Sequence, residues 1–441
     1  MKLLIFYTLR YINIVAVKLN LPFISAICFF FNLRTWKKIN YSKLIRKKVI
    51  VLYRHDGLAD LTEAYLNKQS NIKYLILPRI ILKDLFNHFL RNQVNDYCYI
   101  DIKDEEIRIN KLKYYTYLKN LLFALKKMIK VDAILAFNIF YYAEREFQKA
   151  AKDLKIRYLV IMKEGISTKI RDKQLVWLLK NLSDIYYGDY VVTYNKNRMR
   201  VLVDSGTVKK NKVKTIGVSR YDKILKYSEN LKNRNTLVYY SIREGAGFFD
   251  TSGEPPNKYR SLYKKIPKHK FITKKKFNNI LNKNEKIMIS ILADFAEKNK
   301  NFNVIVKYKT GDGNFYHKPK KTPTNLKFIH GGSGYQLLRD CKLAIGFNSS
   351  ALIEAVLASC KVLVVSFNIN QSKFKDSLLE YGGYAKYILN ESKMKKQIQD
   401  IMLNSKLVKI KKPFNKKFIN QAGYLDGKSG NRLIKFLNER I

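Results

Sequence analysis

Residues 344–367 read AIGFNSSALIEAVLASCKVLVVSF. Leu343–Phe347 is a short apolar run that ends on Asn348, Ser349 and Ser350. Apolar residues then recur at helical spacing over 349–359, and a second apolar run, Val362–Phe367, follows. A strand, a helix and a strand packed this closely form a parallel unit covered on both faces. Asn348 or Ser349 suits the start of the helix. Amide N–H groups, two hydroxyls and the positive end of a helix together suit a diphosphate. Glu354 lies one turn beyond Ser350 on the same face. A carboxylate there can accept from both hydroxyls of a ribose. An ordinary capped helix with a surface Glu gives the same pattern.

Outward from this stretch, the runs Leu237–Ser241, Val304–Lys307 and Leu326–His330 complete a second-half series, with helices near 286–300, 334–341, 349–359 and 392–404. The first half repeats the alternation. Its runs are Val49–Tyr53, Tyr74–Leu77, Tyr97–Ile100, Ala133–Phe137, Tyr158–Met162 and Tyr190–Tyr194. The sequence therefore predicts an α/β fold of two Rossmann-like domains facing a cleft, over 48–230 and 231–412. A C-terminal helix over 413–441 and an N-terminal segment over 1–47 flank them. Gly245–Lys286, with Gly253, Pro255 and Pro256, reads as a long excursion between strand and helix.

The chain has 441 residues, and 85 Lys+Arg against 35 Asp+Glu give +50. An apolar content of 47% excludes a disordered basic tail. Such charge follows either from low-GC compositional drift, which inflates Lys, or from selection for polyanionic partners. The basic residues are spread along the chain, which disfavours a nucleic-acid partner. Cys28, Cys98, Cys341 and Cys360 form no C-x-x-C pair, so reduced, structural thiols of a cytoplasmic protein are expected. The five His are dispersed, and no zinc site is expected.

The N-terminal segment is apolar between Lys2, Arg10 and Lys18, and its cleanest run, Leu21–Phe31, is short for a span. No small-x-small cleavage site follows, and bulky residues around Cys28 exclude a lipoprotein site. Basic residues arrive from Arg34 onward. An amphipathic interfacial helix on anionic lipid, a packed helix of the fold and a true span are the three readings.

The stretch 344–367, with FIHGGSGYQLLRDCKL (328–343) before it, resembles the donor-nucleotide region of GT-B glycosyltransferases. The likeness is to those that build bacterial capsule, lipopolysaccharide and related surface polysaccharide. IGVSRYDKIL (216–225) resembles the G-x-x-R-x-D segment that ends their first domain, and YLDGKSGNRLIKFL (424–437) resembles their C-terminal end. The resemblance implies nucleotide in the second domain and acceptor in the first. By position, Asn348, Ser349 and Ser350 would meet the diphosphate and Glu354 the ribose. The loop carrying His330, Gly332 and Ser333 would approach the base. Lys307 and Arg243 could reach phosphate.

An acceptor base is expected in the first domain. Glu164 in VIMKEGIS comes first; Asp56, beside His55 in VLYRHDGLAD, comes second. Asp-x-Asp is absent from the sequence, which favours a metal-independent reaction with the nucleotide-sugar as substrate and no cofactor. Two departures stand out. Ser359-Cys360-Lys361 replaces the usual Gly-Lys-Pro. KYKTGDGNF lacks the His-Pro of polyol-phosphate transferases, which argues mildly against a CDP-polyol phosphotransferase of the same fold. The expectation is a peripheral enzyme on the inner face of the cytoplasmic membrane. It would glycosylate a glycan or lipid-linked acceptor, with an anionic membrane surface as partner and a nucleic-acid-binding protein as the least favoured class.

Overall fold

The computed structural model describes residues 2–53, 55–90, 105–139, 141–162, 165–182, 185–229, 231–247, 261, 264–267, 273–309, 315–369, 374–404, 406–407 and 413–441. Seven strands build the first sheet: β1 (Arg34–Thr35), β3 (Lys47–Leu52), β5 (Ile72–Leu77), β6 (Ala133–Ala136), β7 (Arg157–Met162), β8 (Tyr190–Thr193) and β9 (Val213–Thr215). Their order is β1-β5-β3-β6-β7-β8-β9, parallel except for the edge strand β1. A small parallel pair, β2 (Asn40–Tyr41) with β4 (Gln69–Ser70), sits apart. The second sheet is wholly parallel. It comprises β10 (Thr236–Tyr240), β11 (Asn303–Tyr308), β12 (Leu326–His330), β13 (Cys341–Gly346), β14 (Lys361–Val365) and β15 (Lys386–Ile388), in the order β12-β11-β10-β13-β14-β15. Two doubly wound α/β domains are the expected architecture. The expected strand Tyr97–Ile100 lies outside the described residues.

The N-terminal helices are α1 (Lys2–Lys18) and α2 (Pro22–Asn32). The first domain adds α3 (His55–Ala64), α4 (Arg79–Leu90), α5 (Glu105–Met128), α6 (Arg145–Asp153), α7 (Lys169–Leu182), α8 (Lys196–Asp204) and α9 (Ser219–Tyr227). The second adds α10 (Lys274–Lys298), α11 (Ala351–Leu357) and α12 (Glu391–Gln399), and α13 (Lys416–Ala422) and α14 (Ser429–Arg440) follow. Central strands such as β6 and β10 are buried at every residue, which is why they read as unbroken apolar runs.

Three departures from the sequence reading matter. The helix expected from 286 begins at Lys274, capped by the Thr273 hydroxyl, which accepts from the Lys276 N–H at 3.3 Å. Its inner face is Phe277, Leu281 and Met288, and the run of Lys, Asn and Glu between them hid the periodicity. The N-terminal segment divides. α2 buries Ser25, Ala26, Cys28, Phe29 and Asn32 against α5, while α1 keeps one face outward. The C-terminal helix α14 returns to the first domain, where Leu433, Phe436 and Leu437 join Val49, Leu58 and Leu61 in one core cluster.

α14 is locked to the G-x-x-R-x-D segment. Asp222 accepts from the N–H groups of Ser429 (3.2 Å) and Gly430 (2.8 Å), capping the helix start, and burial pushes the Asp222 carboxyl up. The Arg432 guanidinium donates to the Ile216 carbonyl at 2.9 Å. Gly217 adopts φ +91, and a Cβ there would stand 2.3 Å from Ser429 Oγ. Both the left-handed backbone and the close approach require glycine. Gly217→Val should therefore lower thermal stability by at least about 2 kcal/mol. It should also release α14, seen as new protease cleavage within 423–430. A variant as stable and as resistant as the parent would refute the lock.

Candidate functional site

In the second sheet the chain runs outward from β10 through β11 to β12, then resumes at β13 on the other side of β10. The order reverses between β10 and β13, where successive connections cross to opposite faces and leave a crevice at the carboxyl ends. Two loops flank that point: Ser241–Gly247 after β10 and Phe347–Ser350 after β13. They touch, since a Cβ on Gly247 (φ +91) would lie 2.6 Å from Asn348 Nδ2.

Asn348 holds φ +47, a conformation asparagine tolerates. Its side chain is engaged in the opposite direction from a helix cap. Nδ2 donates to the Ser377 carbonyl (2.7 Å) and Oδ1 accepts from the Leu379 N–H (3.0 Å). Asn348 therefore fixes the loop. The Ser349 hydroxyl accepts from the Ala351 N–H at 3.3 Å, and Ser350 at the N-cap is exposed and makes no side-chain cap. α11 has 7 residues, fewer than the sequence suggested, so its dipole is that of two turns. Beside this loop, where the Tyr381 hydroxyl donates to the Ser349 carbonyl (3.1 Å), lies a cavity of about 390 Å³ lined by Leu378, Tyr381, Tyr387 and Lys417.

Glu354 turns toward the other domain. Its Oε1 accepts from Arg220 Nε at 2.8 Å, and Arg220 Nη1 donates to both oxygens of Asp60 on α3 (2.9 and 2.8 Å). The Tyr194 hydroxyl also donates to Asp60. Burial would lower the Arg220 pKa, but the carboxylates of Asp60 and Glu354 outweigh it and hold the guanidinium well above its usual value. One turn along, Glu63 accepts from Tyr335 (2.8 Å) and Lys223 (3.3 Å). Lys169–Glu380 (2.7 Å) and Lys173–Asp376 (2.9 Å) are further, more exposed cross-domain pairs. Each partner follows the carboxyl end of a strand, so the carboxyl edges of both sheets face each other.

α10 braces the Arg243 loop. Buried Glu285 accepts from Tyr239, from Ser241 Oγ (2.8 Å) and from the Ile242 N–H (2.9 Å), and Asn278 Oδ1 accepts from the Gly245 N–H (2.8 Å). Arg243 itself is exposed. Lys307 is buried, which lowers its pKa. Its ammonium donates to the carbonyls of Tyr308 (2.8 Å) and Gly331, so it supports the glycine loop from beneath. Gly331 and Gly332 hold φ +66 and +71, and His330 is exposed, with its ring stacked on Tyr308 at 4.8 Å and Tyr316 at 5.6 Å. Ser333, half-buried, ends that loop.

In the first sheet the order reverses between β3 and β6. His55 and Asp56 open α3 at that point, as the sequence suggested. Gly57 beside them admits Phe137, whose ring would stand 2.1 Å from a Cβ there. Glu164 lies outside the described residues, directly after β7. Among the described residues no group of three or more His, Cys, Asp or Glu could hold a metal.

No protein-family model and no curated protein matches the chain. Solved structures resemble it distantly. UDP-GlcNAc 2-epimerase from Methanocaldococcus jannaschii aligns at TM-score 0.47 and 14% identity, over 89% of this chain and 99% of that one. The Neisseria meningitidis UDP-GlcNAc 2-epimerase bound to UDP-GlcNAc gives 0.44 and 13%, over 89% and 100%. Acinetobacter baumannii MurG gives 0.40 and 12%, over 89% and 100%. The two-domain α/β fold stands on the sheet orders above, independently of these likenesses.

Sequence reasoning missed Arg220, Asp60, Asn278 and Glu285. Arg220 had a signal, the G-x-x-R-x-D segment; a polar residue buried by tertiary contact, as Glu285 is, has none. Arg220→Ala would leave two buried carboxylates without their cation, so it should cost about 3–5 kcal/mol in denaturation, with Arg220→Lys intermediate. Equal stability of both variants and parent would refute the bridge. Burial pushes the Glu285 carboxyl up to about 7, against the pull of its three donors. Its unfolded value is near 4.3, so the folded state binds more protons, and the stability this gives is lost as pH rises toward and through 7. Between pH 5 and 8 the parent should lose on the order of 3 kcal/mol relative to Glu285→Gln. Parallel pH–stability profiles would exclude that titration.

Proposed function

We propose that this chain is a metal-independent glycosyltransferase that moves a sugar from a nucleotide-sugar donor to a surface glycan, carried on a lipid-linked acceptor. The observation that carries the reading is the meeting of the Arg243 and Ser349–Ser350 loops at the order reversal between β10 and β13. That crevice faces the first domain. A donor diphosphate there meets hydroxyls, amide N–H groups and a guanidinium, which stabilise the charge that develops on a leaving nucleotide. Glu354 meets the ribose with its rotamer fixed by Arg220. The glycine loop held by Lys307 approaches the base, where the bare backbone admits close contact. His330 offers a ring face to the same region.

Acceptor chemistry falls to the first domain, whose strand ends face this crevice. Glu164, which follows β7 in the sequence, takes the proton from the acceptor hydroxyl as it attacks the anomeric carbon, and Asp56, beside His55 at the start of α3, is the second candidate for that role. Electron flow is simple: the acceptor oxygen forms the new glycosidic bond, the bond to the phosphate oxygen breaks, and the nucleoside diphosphate or monophosphate leaves with its charge held in the second domain.

The test is nucleotide release and donor binding by the purified chain across UDP-, GDP- and CMP-sugars, with chelator present. Turnover should survive chelation. Ser349→Ala with Ser350→Ala should weaken donor binding about a hundredfold or more, the loss of two hydrogen bonds to a charged group. Glu164→Gln should cut kcat by 10²-fold or more while donor affinity holds. Absence of binding to any nucleotide-sugar would overturn the reading, and release of CMP with transfer of a polyol phosphate would replace it.

A further inference from the structure

α1 is mostly apolar on both its inner and its outer side, yet only the inner side is covered. Its inner side carries Phe6, Asn13, Ala16 and Val17, and Arg10 clamps it to α4 through a two-pronged pair with Asp84 (2.6 and 2.9 Å). The outer side presents Leu4, Tyr7, Tyr11, Ile12, Val15 and Leu19, from 37% to 72% exposed. Stepping 100° per residue, these six fall on one continuous face. The described residues expose 24 large hydrophobic side chains, and eleven of them lie between Leu3 and Phe31, so the exposure is concentrated rather than scattered.

Charge points to what covers this face. The first acidic residue of the sequence is Asp56; the 55 residues before it contain eleven Lys and Arg. Lys18 borders Leu19 at the end of α1, Arg34 follows Phe31 closely, and Lys37, Lys38, Lys43 and Arg46 are exposed beyond. An apolar face on a segment whose own charged residues are all cationic complements an anionic lipid surface. This helix is short for a span: 17 residues rise about 26 Å, less than the hydrocarbon core, and no described helix is long and apolar enough to cross a membrane.

We infer that α1 lies flat in the interface of an anionic bilayer, its outer face among the acyl chains and its cations against the headgroups. This docking is independent of the catalytic reading and holds whatever reaction the crevice performs. The Arg10–Asp84 pair sets its geometry. With α1 clamped to the body, the protein rests on the membrane in one orientation, not at the end of a loose tether.

The experiment is flotation of the full chain with vesicles of phosphatidylcholine alone or with phosphatidylglycerol added. The parent should float with the anionic vesicles and bind the neutral ones at least tenfold more weakly. Salt should weaken the binding, and alkaline carbonate should strip the protein from the vesicles. Leu4→Asp with Tyr11→Asp should reduce partitioning tenfold or more at unchanged circular dichroism. Leu19→Glu, at the helix end, serves if the double variant fails to fold. Indifference to anionic lipid, full binding by the variants, or resistance to carbonate would each overturn the inference. So would a lipid-free parent dimer that the same substitutions convert to monomer, since the face would then belong to a second copy.

Discussion

A single guanidinium, Arg220, ties the two domains at the point where they meet. It sits between Asp60 of the first domain and Glu354 of the second, and all three side chains are largely withdrawn from water. Removing charges from water is costly, so the arrangement persists only because both carboxylates share one planar donor whose geometry matches them. That requirement fixes the register between α3, α9 and α11. It thereby fixes how the crevice of the second domain faces the strand ends of the first. The more exposed lysine pairs around it add orientation at little energy.

The segment that carries Arg220 does more than bridge. Gly217 permits α14 to begin within contact distance, Asp222 caps that helix, and Arg432 returns a bond to Ile216. Two stretches at least 207 residues apart in the chain therefore complete one another. Each is short and unremarkable alone, because a cap, a close approach and an ion pair need only one residue apiece.

The architecture was legible because parallel strands buried on both faces must be continuous apolar runs, and Val362–Phe367 or Ala133–Phe137 cannot easily be anything else. The Ser349–Ser350 loop was legible because its residue types suit one place, the passage from strand to helix. The start of α10 was not, since Lys274–Lys286 carries few apolar residues, and the polar ones that matter, Asn278 and Glu285, gain meaning only from the strand ends they brace. Lys307 illustrates the reverse failure. A lysine at a strand end suggests a phosphate contact, but the nearby Tyr308 and Gly331 carbonyls already engage its ammonium. Asn348 likewise looked like a helix cap and instead ties its loop to Ser377 and Leu379.

The return of α14 to the first domain changes how the two lobes are joined. The second lobe is, topologically, an insertion within the first, entered near Ser228 and left near Phe414. A lobe joined through two chain crossings is harder to displace than one hung from a single linker, because both crossings must move together.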